Sequence, residues 1–402
     1  MEVKPLLNRL IILFAISVIL LFSINSCSDD PTSIGANLLP EQDLIRVNSI
    51  DSAFFQKARF YDTDTLALNT SSKVLLGKSD DVESTILMNF LMFFADSVNE
   101  AILDNSIIIQ SAVMEMEPIY KFGVESNNAF DFTLHEITSD WNSLEFGKAD
   151  LPGLVYNAED VSSNHQFLGD SLITLDFDKD LLLAWMNSSA NESYEDIRGV
   201  YFKYTDETNK VIGFPAISPL YDSVLTRITV IIEVPSQFTD TLVMQVSSDA
   251  HVVFGELPTT NNQNIFAQGG IPIRSNIFFD ISTIPNNAII NRAILKLFYD
   301  ESETIMGSAD AGILRVAPID DFEASDLNTS YPPMSIYKDS SDTFYSGDIT
   351  PIVQTWVSDG NNGVQLYLID EIDVVNKLAI ATENHPDKNL TPYLEIIYTS
   401  KN

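Results

Sequence analysis

From about residue 45 onward the apolar residues of this chain fall in short runs, alternating or continuous, rich in β-branched and aromatic side chains. Ile86-Leu87-Met88-Asn89-Phe90, Val200-Tyr201-Phe202-Lys203-Tyr204, Thr229-Val230-Ile231-Ile232, Asn276-Ile277-Phe278-Phe279 and Leu394-Glu395-Ile396-Ile397-Tyr398 are examples. Clusters of Asn, Asp, Gly and Ser separate the runs, and sustained helical periodicity is nearly absent. Such runs bounded by turn residues form buried or half-buried strands, so the pattern predicts an all-β protein of sandwich or jelly-roll type. With 402 residues, 45% of them hydrophobic, the chain has material for two such domains.

An internal repeat of roughly 160 to 190 residues points the same way. Ser111-Ala112-Val113-Met114 has its counterpart in the strand opening at Asn291-Arg292-Ala293-Ile294, and Leu181-Leu182-Leu183-Ala184-Trp185 in Ile352-Val353-Gln354-Thr355-Trp356. Gly199-Val200 matches Gly363-Val364, and 226–232 matches 391–397 after intervals of 27 and 28 residues from the respective glycines. The repeat contains one small predicted helix. Thr350 can cap it, Pro351 sits at the first helical position where a missing N–H does no harm, and Gly360 can end it. Ile352, Val353 and Trp356 share a face, as do Leu181, Leu182 and Trp185, which places both indoles in a core rather than on a ligand surface.

Charge and cysteine usage exclude several functions. Lys+Arg 22 against Asp+Glu 57 gives a formal charge of -35, the wrong sign for binding a nucleic-acid backbone. One cysteine rules out an internal disulfide framework, a Cys-rich zinc site and a C-x-x-C redox pair. That cysteine follows a segment that does not read as part of the fold. Lys4 and Arg9 precede an apolar run over 10–22 whose only polar member is Ser17. Thirteen helical residues reach about 20 Å, short of the roughly 30 Å hydrocarbon core, so 1–26 reads as a signal peptide. Ile24-Asn25-Ser26-Cys27 resembles a bacterial lipobox, which implies acylation of Cys27 and a membrane partner through several acyl chains, each buried CH₂ adding about 0.8 kcal/mol. Ser28-Asp29-Asp30 resembles the acidic export signal of surface lipoproteins from Bacteroidota-type bacteria, implying an outer-membrane or cell-surface location; the alternative is a solvated tether.

The second half carries a further resemblance. Ser275-Asn276-Ile277-Phe278-Phe279-Asp280-Ile281, then Ile284-Pro285, then Ala293-Ile294-Leu295, a segment from Gly347-Asp348-Ile349-Thr350 to Trp356, Gly363 and Pro392-Tyr393-Leu394 follow one another in an order that resembles the DNRLRE family of secreted jelly-roll modules, related to carbohydrate-binding modules. The first half departs from it, with Lys179-Asp180 in place of Thr350-Pro351 and Arg227-Ile228 in place of Pro392-Tyr393. The segment 30–40, Asp-Pro-Thr-Ser-Ile-Gly-Ala-Asn-Leu-Leu-Pro, with Leu75-Leu76-Gly77-Lys78, resembles a Bacteroidota surface-lipoprotein family of unknown function. The expected organisation is a signal peptide over 1–26, a lipid-anchored tether over 27–45, a first β-sandwich over 46–236 and a second, DNRLRE-like sandwich over 237–402.

Candidate ligand residues are aromatics in polar loops. Trp141, within Thr138-Ser139-Asp140-Trp141-Asn142-Ser143, and Tyr331, within Asn328-Thr329-Ser330-Tyr331-Pro332-Pro333, can stack on a sugar face while adjacent Asp and Asn bind its hydroxyls. Trp141 can equally fold back as a lid on the sandwich. Asp176, Asp178 and Asp180 offer carboxylates for a structural Ca²⁺, as do Asp320, Asp321, Glu323 and Asp326; the first group also precedes the helix of the first repeat, where carboxylates favour the positive end of the dipole without a metal. His135, His165, His251 and His385 form no catalytic spacing, and the chain has no G-x-S-x-G. Six tripeptides match the Asp-Ser/Thr-aliphatic pattern that some Bacteroidota-type bacteria O-glycosylate, at Ser52, Thr65, Ser97, Ser171, Ser223 and Thr241, against about two or three by chance. Such tripeptides also mark turn-to-strand junctions. The expectation is a non-enzymatic surface lipoprotein, without a cofactor unless a structural Ca²⁺, that binds or displays an extracellular ligand, a polysaccharide first. The alternative is a structural or assembly protein of the envelope, partnered by other envelope proteins and with no sugar affinity.

Overall fold

The structure, a computed structural model, describes residues 45–50, 55–62, 68–79, 82–123, 129–168, 171–217, 226–258, 262–271, 273–309, 311–340 and 343–401. The expected signal peptide, Cys27 and the tether as far as residue 44 lie outside them. In chain order the strands are β1 Ile45–Ile50, β2 Phe55–Asp62, β3 Lys73–Ser79, β4 Val82–Phe90, β5 Ile108–Met116, β6 Tyr120–Phe122, β7 Phe132–Glu136, β8 Ser162–Leu168 and β9 Leu172–Phe177. There follow β10 Val200–Tyr204, β11 Val211–Pro215, β12 Arg227–Val234, β13 Phe238–Gly255, β14 Asn264–Gln268, β15 Ile273–Phe279, β16 Ile289–Phe298 and β17 Ile313–Asp321. The last are β18 Asp326–Leu327, β19 Met334–Lys338, β20 Phe344–Asp348, β21 Val364–Leu368, β22 Lys377–Ala381 and β23 Tyr393–Lys401. The α-helices among the described residues are α1 Asp96–Leu103, α2 Lys179–Ala190 and α3 Thr350–Asp359. Strands take 48% and helices 13%, so the chain is all-β, as the alternating runs predict.

Two antiparallel sheets carry the fold. One runs β6-β11-β3-β4-β13-β12-β5-β9-β8, with β10 bridging β4 and β7. The other runs β1-β23-β16-β20-β19-β17-β21-β15-β14-β22, with β2 on β15 and β18 on β17. Each folds over its own core. Met88, Met114, Leu175, Trp185, Phe202 and Ile228 belong to the first, and Ile277, Leu295, Leu314, Trp356, Leu366 and Leu394 to the second. The second sheet curls until Tyr299, just past β16, bridges Ile380 of β22.

The pairings repeat. β12 pairs β5, which pairs β9; β23 pairs β16, which pairs β20. β10 lies between β4 and β7 as β21 lies between β15 and β17. Gly199 and Gly363 open the equivalent strands β10 and β21 with φ of 82° and 88°. A Cβ on Gly199 would lie 2.0 Å from the Met88 carbonyl oxygen, and one on Gly363 would lie 2.5 Å from that of Ile277. Met88 and Ile277 are the residues paired with Val200 and Val364, so the two glycines are required for the same close approach of backbones.

Helices α2 and α3 follow their sequence signals with one correction. Asp178 caps α2, its Oδ1 accepting from Leu181 N at 2.7 Å, and Leu182 and Trp185 are buried beneath. In α3, Ile352, Val353 and Trp356 are buried, Pro351 stands in the first turn and Gly360 ends the helix at φ 108°. Thr350 does not cap it. Its Oγ1 accepts from Ala293 N at 2.7 Å, tying the helix to β16, while Asp348 Oδ1 accepts from Thr350 N at 2.8 Å.

The sheets divide the chain differently from the expected 46–236 and 237–402. Pro235, Ser236 and Gln237 form a hairpin turn, Gln237 N donating to Val234 O, and the chain returns as β13 along β12 in register from Val234↔Phe238 to Arg227↔Gln245. β13 thus belongs to the first sheet, whereas β1 and β2 join the second. A Pro-Ser turn signals reversal equally well within a hairpin and between domains, and here it is the former.

The sandwiches meet at a shared apolar junction of Leu75, Tyr120, Val211, Phe266, Ile273 and Val374, among others. Tyr120 Oη donates to Asn376 Oδ1 at 2.9 Å and accepts from Val375 N at 3.1 Å, and Gly307 N donates to Asn376 Oδ1 at 2.7 Å. Asp373 Oδ1 accepts from Ser72 N at 2.6 Å and from the Ser71 and Ser72 hydroxyls. Removing the Tyr120 hydroxyl leaves the buried Val375 N–H unpaired. Tyr120→Phe is therefore expected to lower stability by about 1–3 kcal/mol, read as a lower urea midpoint at unchanged slope.

Candidate ligand pocket

Between β7 and β8 the first sandwich carries a long loop on its outer face. Leu87, Ile137 and Tyr201 form a small buried cluster there, and Trp141, Phe146, Leu151, Leu154 and Tyr156 pack onto it. Backbone bonds close the base of the loop: Thr138 N and Ser139 N donate to Val155 O, and Ile137 bridges Tyr156. Asn142 organises the tip, its backbone carbonyl accepting from Phe146 N at 2.8 Å and its Oδ1 from Leu144 N at 3.1 Å. Asp150 Oδ2 accepts from Gly147 N at 2.9 Å on the opposite limb.

The loop borders an open cleft of about 470 Å³, lined by Asp140, Trp141, Asn142, Glu145, Phe146, Asp150, Gly153 and Leu154. Trp141 is fixed in it. The indole Nε1 donates to Arg198 O at 2.7 Å, and Phe146 stands edge-on to the ring at 6.2 Å and 82°. Arg198 Nε in turn donates to Asp140 Oδ1 at 2.9 Å. The half-buried indole is thus both a partial lid on the sheet and a wall of the cleft. The lining holds three carboxylates and no cationic side chain, which disfavours anionic ligands.

The other sequence candidates do not join this site. Tyr331 is 37% exposed in the loop between β18 and β19, its hydroxyl 3.4 Å from Asp359 Oδ2. The proposed Ca²⁺ carboxylates serve local structure instead: Asp178 caps α2, Asp176 Oδ2 accepts from Asn164 Nδ2 at 2.6 Å, and Asp180 is exposed in the first helical turn. In the second acidic group, Asp320 accepts from Asn328 and Asp321 from Glu323 N and Ala324 N. Among the described residues no three His, Cys, Asp or Glu side chains come together as a metal site. His135 contacts Thr133 and the Asn157 and Glu159 carbonyls, His165 contacts Ser162, His385 contacts Asp300, and His251 is buried in β13. Of the O-glycosylation candidates, Ser97, Ser171 and Thr241 are exposed; Ser52, Thr65 and Ser223 lie outside the described residues.

Trp141 is the member of this pocket that its polar flanks single out. Phe146, Glu145 and Asp150 share its loop but carry no motif, and Arg198, 57 residues further on, comes into place only through the pairing of β10 with β7. Comparison with protein-family models, with curated proteins and with solved structures finds no match to this chain.

Proposed function

We propose that this chain is a non-enzymatic lipoprotein, anchored through Cys27 at the outer membrane or cell surface, whose first sandwich binds a neutral glycan in the pocket walled by Trp141. The observation that carries the reading is the pocket itself: a fixed indole, an edge-on phenylalanine and three carboxylates around a cleft large enough for a short sugar segment. The resemblance of the second half to DNRLRE modules and the lipobox-like Ile24-Asn25-Ser26-Cys27 support it independently.

A glycan-array screen of the chain from Ser28 onward, with and without chelator, tests the binding. A neutral polysaccharide should be retained, and Trp141→Ala should weaken its binding at least tenfold, ~1.4 kcal/mol or more. Equal binding by the variant would place the site elsewhere, and dependence on a metal would contradict the pocket as the whole site. Labelled palmitate should enter the parent chain and not Cys27→Ala.

A second reading, an envelope assembly protein, is favoured by one surface feature. Leu91 and Phe93 are 61% and 83% exposed beside α1, with Leu103 and Ile108 nearby in sequence also exposed. Silence across the glycan panel would favour it.

A further inference from the structure

Alternation along the strands of the second sandwich leaves two adjacent rows of side chains on its outer face. Leu314, Ile336, Leu366 and Leu368 belong to the core, so Arg315, Ser335 and Tyr367, next to them on the same strands, point away from it. Tyr367 faces Arg315 across β21 and β17, and Arg315 faces Ser335 across β17 and β19. Arg274 of β15 extends this row, its guanidinium 4.6 Å from the centre of the Tyr367 ring. The neighbouring row is apolar. Ile313 faces Tyr337, which is 57% exposed, and Ile369, just past β21, is 43% exposed.

The two arginines differ in what satisfies them. Arg274 donates from Nε and Nη2 to the two oxygens of Glu371 and from Nη1 to Gln365 Oε1, which fixes it over the tyrosine ring. Arg198 and Arg227 likewise each meet a carboxylate. Arg315 does not. Among the described residues its half-buried side chain donates to Ser335 Oγ at 2.8 Å and joins no ion pair, in a chain with Asp+Glu 57. Nor does the repeated fold require an arginine at that place. Glu136 and Pro318 face Val200 and Val364, and three residues before them stand Thr133 and Arg315.

We propose that this face of the second sandwich docks an extended acidic segment of a partner protein, with one carboxylate on Arg315 and an apolar side chain two residues away against Ile313, Tyr337 and Ile369. Charge complementarity carries the first contact, because the planar guanidinium of Arg315 matches the two oxygens of a carboxylate and has none in place. Spacing carries the second. Arg315 and Ile313 are two residues apart on β17, about 7 Å, and side chains on one face of an extended peptide have the same separation. Arginine and tyrosine beside exposed apolar groups are also the side chains that protein interfaces favour. An acidic sugar fits less well, since it has no apolar side chain to set against Ile313 and Ile369, and Arg274 already lies over the Tyr367 ring. The surface is separate from the Trp141 pocket and holds whichever reading of the first sandwich stands.

Calorimetry on the full chain in detergent tests this with two blocked peptides, acetyl-Thr-Glu-Thr-Val-Thr-amide and the same peptide with Gln for Glu, which differ by one charge. The glutamate peptide should bind at least about tenfold more tightly. Arg315→Gln should erase that difference at an unchanged urea midpoint, and Ile369→Ser should weaken both peptides by similar factors. Arg292→Gln, at an exposed arginine of β16 that also joins no ion pair among the described residues, should change neither. Equal binding of the two peptides, a preference that survives in Arg315→Gln, or no binding of either would overturn the proposal. Tighter binding of galacturonate oligomers than of the glutamate peptide, lost in Arg315→Gln, would give the site to acidic sugars and overturn it as well.

Discussion

Gly199→Ala is expected to cost about 4 kcal/mol or more, a large part of the 5–15 kcal/mol that stabilises an ordinary domain. The backbone at Gly199 has φ 82°, where a side chain alone costs about 1–3 kcal/mol. The added Cβ would also lie 2.0 Å from Met88 O and 2.8 Å from Asn89 Cα, both backbone atoms that cannot rotate away. Relief requires β10 to separate from β4, and with it Val200 and Phe202, both fully buried. Gly363→Ala should act the same way in the second sandwich, against Ile277 O at 2.5 Å. Gly312→Ala is the control: its Cβ meets nothing within 4 Å, and its stability should stay within about 0.5 kcal/mol of the parent. Urea denaturation of the three variants checks all of this.

Between about pH 6.5 and 4, acid should act through His251. Burial drives this imidazole down to about 4, against a smaller opposing effect of Asp373. At pH 7 it is neutral in both the folded and the unfolded chain and contributes nothing to the balance. As pH falls below the unfolded value near 6.5, the unfolded chain takes up a proton that the folded chain refuses, so stability declines until about pH 4. The loss amounts to about 3 kcal/mol over that window. His251→Leu should flatten the decline between pH 6.5 and 4. Asp300 acts in a separate, lower window. Burial pushes its carboxyl up, but hydrogen bonds from Ser302, Asn264 and His385 outweigh this and hold it at about 2. Its contribution is complete above the unfolded value near 3.8 and lost only as pH falls toward 2. Denaturation midpoints at about pH 7, 5.5, 4 and 2.5 for parent and His251→Leu separate the two, because only the last falls in the Asp300 window.

What the sequence discloses follows from what each signal encodes. Alternation and turn residues specify that a strand exists, so the β runs around Met88, Phe202, Ile277 and Ile396 are legible, and so are the buried faces of α2 and α3. Gly199 and Gly363 are legible as a repeated position because a positive φ under a close backbone leaves no other residue. Strand partners are not encoded locally. Nothing in the residues of β1 or β2 says that they pair with β23 and β15, and the turn at Ser236 reads alike as a hairpin or a boundary. The acidic triplet 176, 178 and 180 is ambiguous for a related reason: a carboxylate that caps a helix and one that accepts an amide look, in sequence, like ligands for an ion. Trp141 stands out because its sequence neighbours are polar, but the cluster of Leu87, Ile137 and Tyr201 that it packs onto, and Arg198, which fixes its orientation, are supplied by tertiary structure alone.

Tryptophan fluorescence provides the most direct test of the pocket. The chain has three tryptophans; Trp185 and Trp356 are 3% and 5% exposed in the two cores, which leaves Trp141 as the indole open to a ligand. Titration with the glycan retained on the array should shift the emission to the blue and shield the quenchable fraction from acrylamide, and neither change should occur in Trp141→Phe. A glycan that binds while acrylamide quenching stays as it was, or that produces the same shift in Trp141→Phe, would contradict a binding site at this pocket.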